Sequence, residues 1–282
     1  MRPLNQRART DRVMLRYPGS IVLALLCQLA TVGAFSAAPA KPTAELPILD
    51  GQSNPEGKAS VGPNGPDKNQ DRATTLTIEG WSVSINPALW RSEPAATTTA
   101  LALLRTQLAD IARVVPAPAL AKLRETRLWF SPEYLGVRPT AEYHPDAVWL
   151  RQHGRAPEMA KGVEFTNVRA YERETDRMPW FVLHELAHGY HDRVLGFDQA
   201  EIRAAYEHAK ANRLYDRVER HNGNGLPNTF ERAYAMTDHK EYFAESSEAF
   251  FGRNDFYPWT RTDLEKHDPQ MFELLKRVWQ AE

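Results

Sequence analysis

The stretch from Met178 to Gly196 reads MPWFVLHELAHGYHDRVLG, and it restricts the fold more than any other. Val182, Leu183, Leu186, Tyr190 and Val194 recur at helical spacing and predict an apolar stripe laid on a core. Pro179 suits a first helical turn, where a missing N–H is no loss, and Gly196 suits the residue after the last turn. At 100° per residue, His184 and His188 fall about 40° apart on another face, one turn apart, so two imidazoles can aim at one point. Glu185 is turned about 100° from His184; it cannot share an ion with the histidines, but it can reach a water bound to that ion. These are the mechanics of H-E-x-x-H: two zinc ligands, His184 and His188, and a general base, Glu185.

The third ligand must come from elsewhere. The continuation H-E-x-x-H-x-x-G-x-x-H fails, because His191 follows Tyr190 and position 194 is Val. His191 lies on the histidine face one turn too far along, and is read as a solvated histidine or one bonded to the ligands from outside. Catalytic zinc often takes two histidines and a glutamate. Downstream, DHKEYFAESSEAFFGRN predicts a second helix that stops at Gly252, with Glu241, Glu245 and Glu248 on one face. Three stacked like charges repel unless a cation compensates them. Glu241 is therefore assigned as the ligand, and Glu245, one turn on, as acceptor for the free ring N–H of a ligand histidine. Glu248 is read as a surface residue or minor structural partner.

HELAH together with ERAYAMTDHKEYFAESSEAFF resembles the catalytic domain of anthrax lethal factor-like zinc metallopeptidases, in the gluzincin branch of the zincins. That family pairs an HExxH helix with a second helix reading roughly E-[FY]-F-A-E. The resemblance implies Zn²⁺ as cofactor, Glu241 as zinc ligand and Glu245 as support for a histidine ligand. It also implies that Tyr234, seven residues before Glu241, binds the oxyanion or protonates the leaving amine. It covers about the last hundred residues; the toxin's other domains have no counterpart in a chain of 282 residues.

The remainder sets the context. Arg2, Arg7, Arg9, Arg12 and Arg16 precede an apolar run, SIVLALLCQLATVGAF, then small residues. Residues 1–36 therefore read as a secretory signal peptide, with an uncleaved membrane anchor as rival; Leu26 before Cys27 disfavours a lipoprotein. Cleavage would remove the single cysteine, which suits a secreted or periplasmic location. Residues 37–73 are rich in Pro, Gly, Asn and Lys and read as a disordered linker.

Order is predicted over 74–282. TLTIEGWSVSINPAL alternates as a strand or hairpin would, TTTALALLRTQLADIARVVP has helical spacing up to Pro116, and a strand is placed around Leu128 to Phe130. GVEFTNVRAY reads either as an edge strand that an extended peptide could join, or as an ordinary internal strand. RHNGNGLPNTF reads as a loop, and His208, His221 and His239 as solvated. Strands and helices mix without regular βαβ spacing, so the class is α+β with a zincin-like catalytic domain.

The formal net charge of −1 argues against a nucleic-acid partner. The expected function is an exported zinc metallopeptidase that cleaves peptide or protein substrates with a zinc-bound water activated by Glu185. The alternatives are a non-catalytic secreted binding protein on a zincin scaffold, or a zinc amidase acting on cell-wall peptides.

Overall fold

A computed structural model describes residues 73–281. The predicted signal segment and all but the last residue of the predicted linker lie outside the described residues. Among the described residues, no helix is long and apolar enough to cross a membrane.

The chain opens with a hairpin, β1 (Thr74–Ile78) and β2 (Trp81–Ile85). Glu79 and Gly80, at φ 50° and 90°, make the two-residue turn that matches strand twist. Next come α1 (Pro87–Ser92), the long α2 (Pro94–Val114) and α3 (Ala117–Arg124). Leu104, Leu108 and Ile111 form the buried stripe of α2, as their spacing predicts. β3 (Leu128–Phe130), β4 (Ala141–His144), α4 (Ala147–Gln152) and β5 (Gly162–Phe165) follow. The sheet order is β1-β2-β3-β5-β4; β3 runs parallel to β2 and β5, and β4 runs antiparallel to β5. GVEFTNVRAY is thus internal where it is strand, and from Val168 it turns helical. The edge on this side belongs to β4, whose four residues are too few to alternate recognisably and carry three titratable side chains.

Register splits the sheet into unlike faces. Val83, Leu128, Val163 and Tyr143 face one way with Ile85, Phe130, Phe165 and Ala141, all buried. This face meets the helices: Phe165 and Tyr171 both pack edge-on against Phe181. Ser84, Trp129, Glu164 and Glu142 form a row across the other face.

The second half is mostly helical: α5 (Tyr171–Arg177), α6 (Phe181–Tyr190), α7 (Ala200–Ala211), α8 (His239–Phe251), α9 (Arg261–His267) and α10 (Pro269–Val278). α6 starts after Pro179, with Trp180 at its cap, and runs into a π-turn over His191–Leu195 that ends at Gly196, φ 83°. That turn swings Val194 out of the predicted stripe; it is 42% exposed, whereas Val182, Leu183, Leu186 and Tyr190 are buried. The predicted loop RHNGNGLPNTF joins a small ribbon, β6 (Val218–Arg220) and β7 (Thr229–Glu231), whose strands are too short to show a pattern. Trp279, fully buried after α10, stacks on Tyr190 and Phe243 with centroids 4.2 and 5.7 Å away, and its Nε1 donates to Ser247. One indole thus clamps α6 to α8; such ring pairs add about 0.5–1.5 kcal/mol each beyond area burial.

Candidate metal centre

α6 and α8 pack face to face, and their polar residues meet inside the contact. Asp238 fixes where α8 begins, because its carboxylate accepts from the backbone N–H groups of Lys240 and Glu241. Glu241 is thereby set in the first turn, opposite the histidines. Its Oε2 lies 3.0 Å from Nε2 of His184 and 3.4 Å from Nε2 of His188, and the two ring nitrogens are 3.1 Å apart. All three side chains are buried.

This donor set fits zinc. Tetrahedral bonds of about 2.0–2.1 Å place ligand atoms roughly 3.3–3.4 Å apart, close to the separations seen. Proton counting agrees. Nδ1 of His184 is 2.8 Å from Oε1 of Glu248, so that nitrogen donates and Nε2 of a neutral ring keeps its lone pair. Lone pairs from His184 and Glu241 then face one another, which needs either a proton or a metal cation between them. Burial opposes charge on His184, but its hydrogen bonds to Glu241 and Glu248 raise its pKa well above the ordinary value. Burial would lift the Glu241 carboxyl; the imidazoles of His188 and His184 hold it down at about 2. Burial lowers His188, whose Nδ1 is buried without a partner among the described residues.

The roles of the other two glutamates on α8 differ from the sequence expectation. Glu248, read as a surface residue or minor structural partner, is fully buried and takes the ring N–H of His184. Glu245, expected in that role, accepts from Nδ2 of Asn254 instead. Burial and the charge of Asp255 push its pKa well above the usual carboxylate range, so it favours the protonated form. The reason is position along α8: the His184 ring meets Glu241 through Nε2 and Glu248, two turns on, through Nδ1, and helical spacing alone does not say which turn of one helix meets the other.

Glu185 is buried, and its Oε2 accepts from the backbone N–H of Tyr143 on β4, 2.8 Å away. Burial first, then the charges of Glu241 and Glu142, push its pKa up to about 8 against the opposing pull of His184. Gly189 permits this approach: a Cβ there would press on the Tyr143 ring and on Thr126 at 3.2 Å. The Tyr143 hydroxyl also donates to Asp192, so β4 is tied to α6 and to the π-turn beyond it. Sequence reasoning missed Tyr143, since a backbone donor leaves no residue signature.

Tyr234, half-buried, starts a single helical turn, Tyr234–Met236, packed on α8. Burial raises its pKa, and the carboxylates of Glu241, Glu185 and Glu245 raise it further. His191 is not solvated: it is fully buried, touching Phe197 and Phe243, and neither ring nitrogen has a partner among the described residues. His239 is half-buried with Nε2 bonded to the Phe197 carbonyl, His221 is half-buried, and His208 is exposed.

No protein family, curated protein or solved structure matches the chain.

Proposed function

We propose that the chain is a zinc-dependent peptidase, exported by its basic, apolar N-terminal segment and built on a zincin-like fold. The observation that carries this reading is the convergence of two imidazole nitrogens and one carboxylate oxygen on a single buried point, with Glu185 anchored beside them.

His184, His188 and Glu241 would hold the ion, and Glu248 keeps His184 in the tautomer that offers Nε2 as a ligand. When bound, zinc supplies Lewis acidity, which polarises a scissile carbonyl and acidifies water. The Tyr143 N–H fixes one oxygen of Glu185 and leaves the other to take a proton from the attacking water. The C–O bond forms first, with the carbonyl π pair moving onto oxygen; Glu185 then passes that proton to the leaving amine, and the peptide C–N bond breaks as the C=O bond re-forms. General-base assistance of this kind is worth about 10²–10⁴-fold in rate. The phenolic O–H of Tyr234 donates to the oxyanion that develops on the former carbonyl, an interaction stronger in the transition state than in the ground state. β4, at the sheet edge beside Glu185, offers backbone groups along which an extended peptide can pair.

The test is zinc content by elemental analysis together with cleavage of a mixed peptide library, comparing wild type with Glu185→Gln. One equivalent of zinc in both proteins and cleavage by wild type alone supports the reading. Absence of zinc, or equal cleavage by both, overturns it.

A further inference from the structure

Tyr143 lies lengthwise along α6 and touches it three times. Glu185, Gly189 and Asp192 stand at i, i+4 and i+7, one stripe on α6 and on the π-turn that continues it. The backbone N–H of Tyr143 donates to Oε2 of Glu185 at 2.8 Å, its ring covers Gly189, and its hydroxyl donates to Oδ2 of Asp192 at 2.8 Å. The ring comes this close because residue 189 has no side chain. Burial, then the charge of Asp192, raise the phenol above its ordinary pKa, so it keeps the proton it donates.

The strand that carries Tyr143 pairs on one side only. Thr166 and Lys161, which flank β5, donate their N–H groups to the carbonyls of Thr140 and His144. Even-numbered positions of β4 therefore bond toward β5, and the N–H of Tyr143 points away from it. On that open side two contacts of Tyr143, one at each end of the residue, tie the strand to α6. Asp192 anchors the far end, and its Oδ2 also takes Nζ of Lys161. Asp192 thus braces β4 twice, through the Tyr143 hydroxyl and through Lys161. Lys161 is exposed, and an ion pair of that kind adds little, whereas Tyr143 is buried. The hydroxyl contact is the one that matters.

We propose that Asp192 is a positioning residue for Glu185. By holding the Tyr143 hydroxyl it keeps β4 at the height where the Tyr143 N–H meets the carboxylate, and so aims the free oxygen of Glu185 at the attacking water. Its effect on rate rests on the peptidase reading; the tie from Asp192 to the Tyr143 N–H does not. A misplacement of about 1 Å at a reacting group costs on the order of 10²-fold in rate, so a contact two turns from the base is enough to matter. In sequence the device reads H-E-x-x-H-x-x-x-D, with the aspartate four residues after the second histidine.

The experiment has two arms, both on the full chain. In ¹H–¹⁵N spectra of the metal-free protein, Asp192→Ala and Tyr143→Phe are expected to move the amide resonance of residue 143 upfield and to speed its exchange with solvent by about tenfold or more. Asp192→Asn, whose amide oxygen still accepts from the phenol, recovers the wild-type signal. Tyr143→Phe keeps the ring on Gly189, so it removes the hydroxyl without opening a cavity. In the second arm, the zinc-loaded Asp192→Ala and Tyr143→Phe proteins cleave a library peptide with kcat lower by about tenfold or more, at little-changed KM and zinc content. Neither change lowers turnover further in a Glu185→Gln background, because the base they position is already gone. An unmoved amide in both variants overturns the proposal whatever the rates, and so does wild-type kcat in both where Glu185→Gln has lost turnover. If Glu185→Gln cleaves as wild type does, or wild type cleaves nothing, the peptidase reading falls and takes the positioning role with it, even where the amide moves.

Discussion

Oε1 of Glu248 lies 2.8 Å from Nδ1 of His184, so the carboxylate seven residues after Glu241 orients the first histidine. Removing a partner of this kind typically costs 10–100-fold in metal affinity. Glu248→Ala is therefore expected to weaken zinc binding by about that factor, measured by chelator competition. Glu245→Gln should leave it within about threefold, since burial already favours the protonated form of Glu245. The reverse order of effects would return the orienting role to Glu245.

Glu185→Gln keeps the shape that accepts the Tyr143 N–H but cannot take a proton. Turnover should fall by about 10²–10⁴-fold with zinc content unchanged, read from initial rates on a cleaved peptide and from elemental analysis. Wild-type turnover in this variant would remove the general base from the scheme.

Tyr234→Phe removes the hydroxyl proposed to act on developing charge. The expectation is a kcat lower by about 10²–10³-fold with KM and metal content little changed. A rise in KM alone, at constant kcat, would make Tyr234 a substrate-binding residue instead.

Gly252 ends α8 directly against Trp180, the cap of α6, and a Cβ at that position would fall inside the indole ring. Gly252→Ala must push α6 and α8 apart, an overpacking that costs about 1–3 kcal/mol. Urea unfolding should show a lower midpoint at constant slope; an unchanged midpoint would mean that Trp180 swings aside freely.

Burial would raise the Glu164 carboxyl, but hydrogen bonds from His144, Ser131 and Tyr134 outweigh it and hold its pKa below the ordinary 4.5. A group depressed on folding stabilises the fold above its unfolded pKa, and that share is lost as pH falls through the folded value. Wild type should therefore exceed Glu164→Gln in stability at about pH 6, and the gap should narrow at about pH 3. Denaturant titrations of both proteins at both pH values measure it, and a gap that widens on acidification contradicts the assignment.

The sequence by itself determined everything local. A period of 3.6 put His184 beside His188, the apolar residues of α6 and α2 named their buried faces, and Asp238 with Gly252 marked the ends of α8. Even the pairing of Glu241 with the two histidines was readable, because few side chains can close such a set. Tertiary structure alone decided which turn of α8 stands level with His184, and hence the exchange of roles between Glu245 and Glu248. It also decided that β4 forms one edge of the sheet, that a backbone N–H on β4 holds Glu185, and that Glu142, His144, Glu164 and Arg155 gather in one buried network. Periodicity reports which face of an element turns inward. It carries no information about how far one element slides along another, and a difference of about one turn, 5.4 Å, is enough to change which carboxylate a histidine meets.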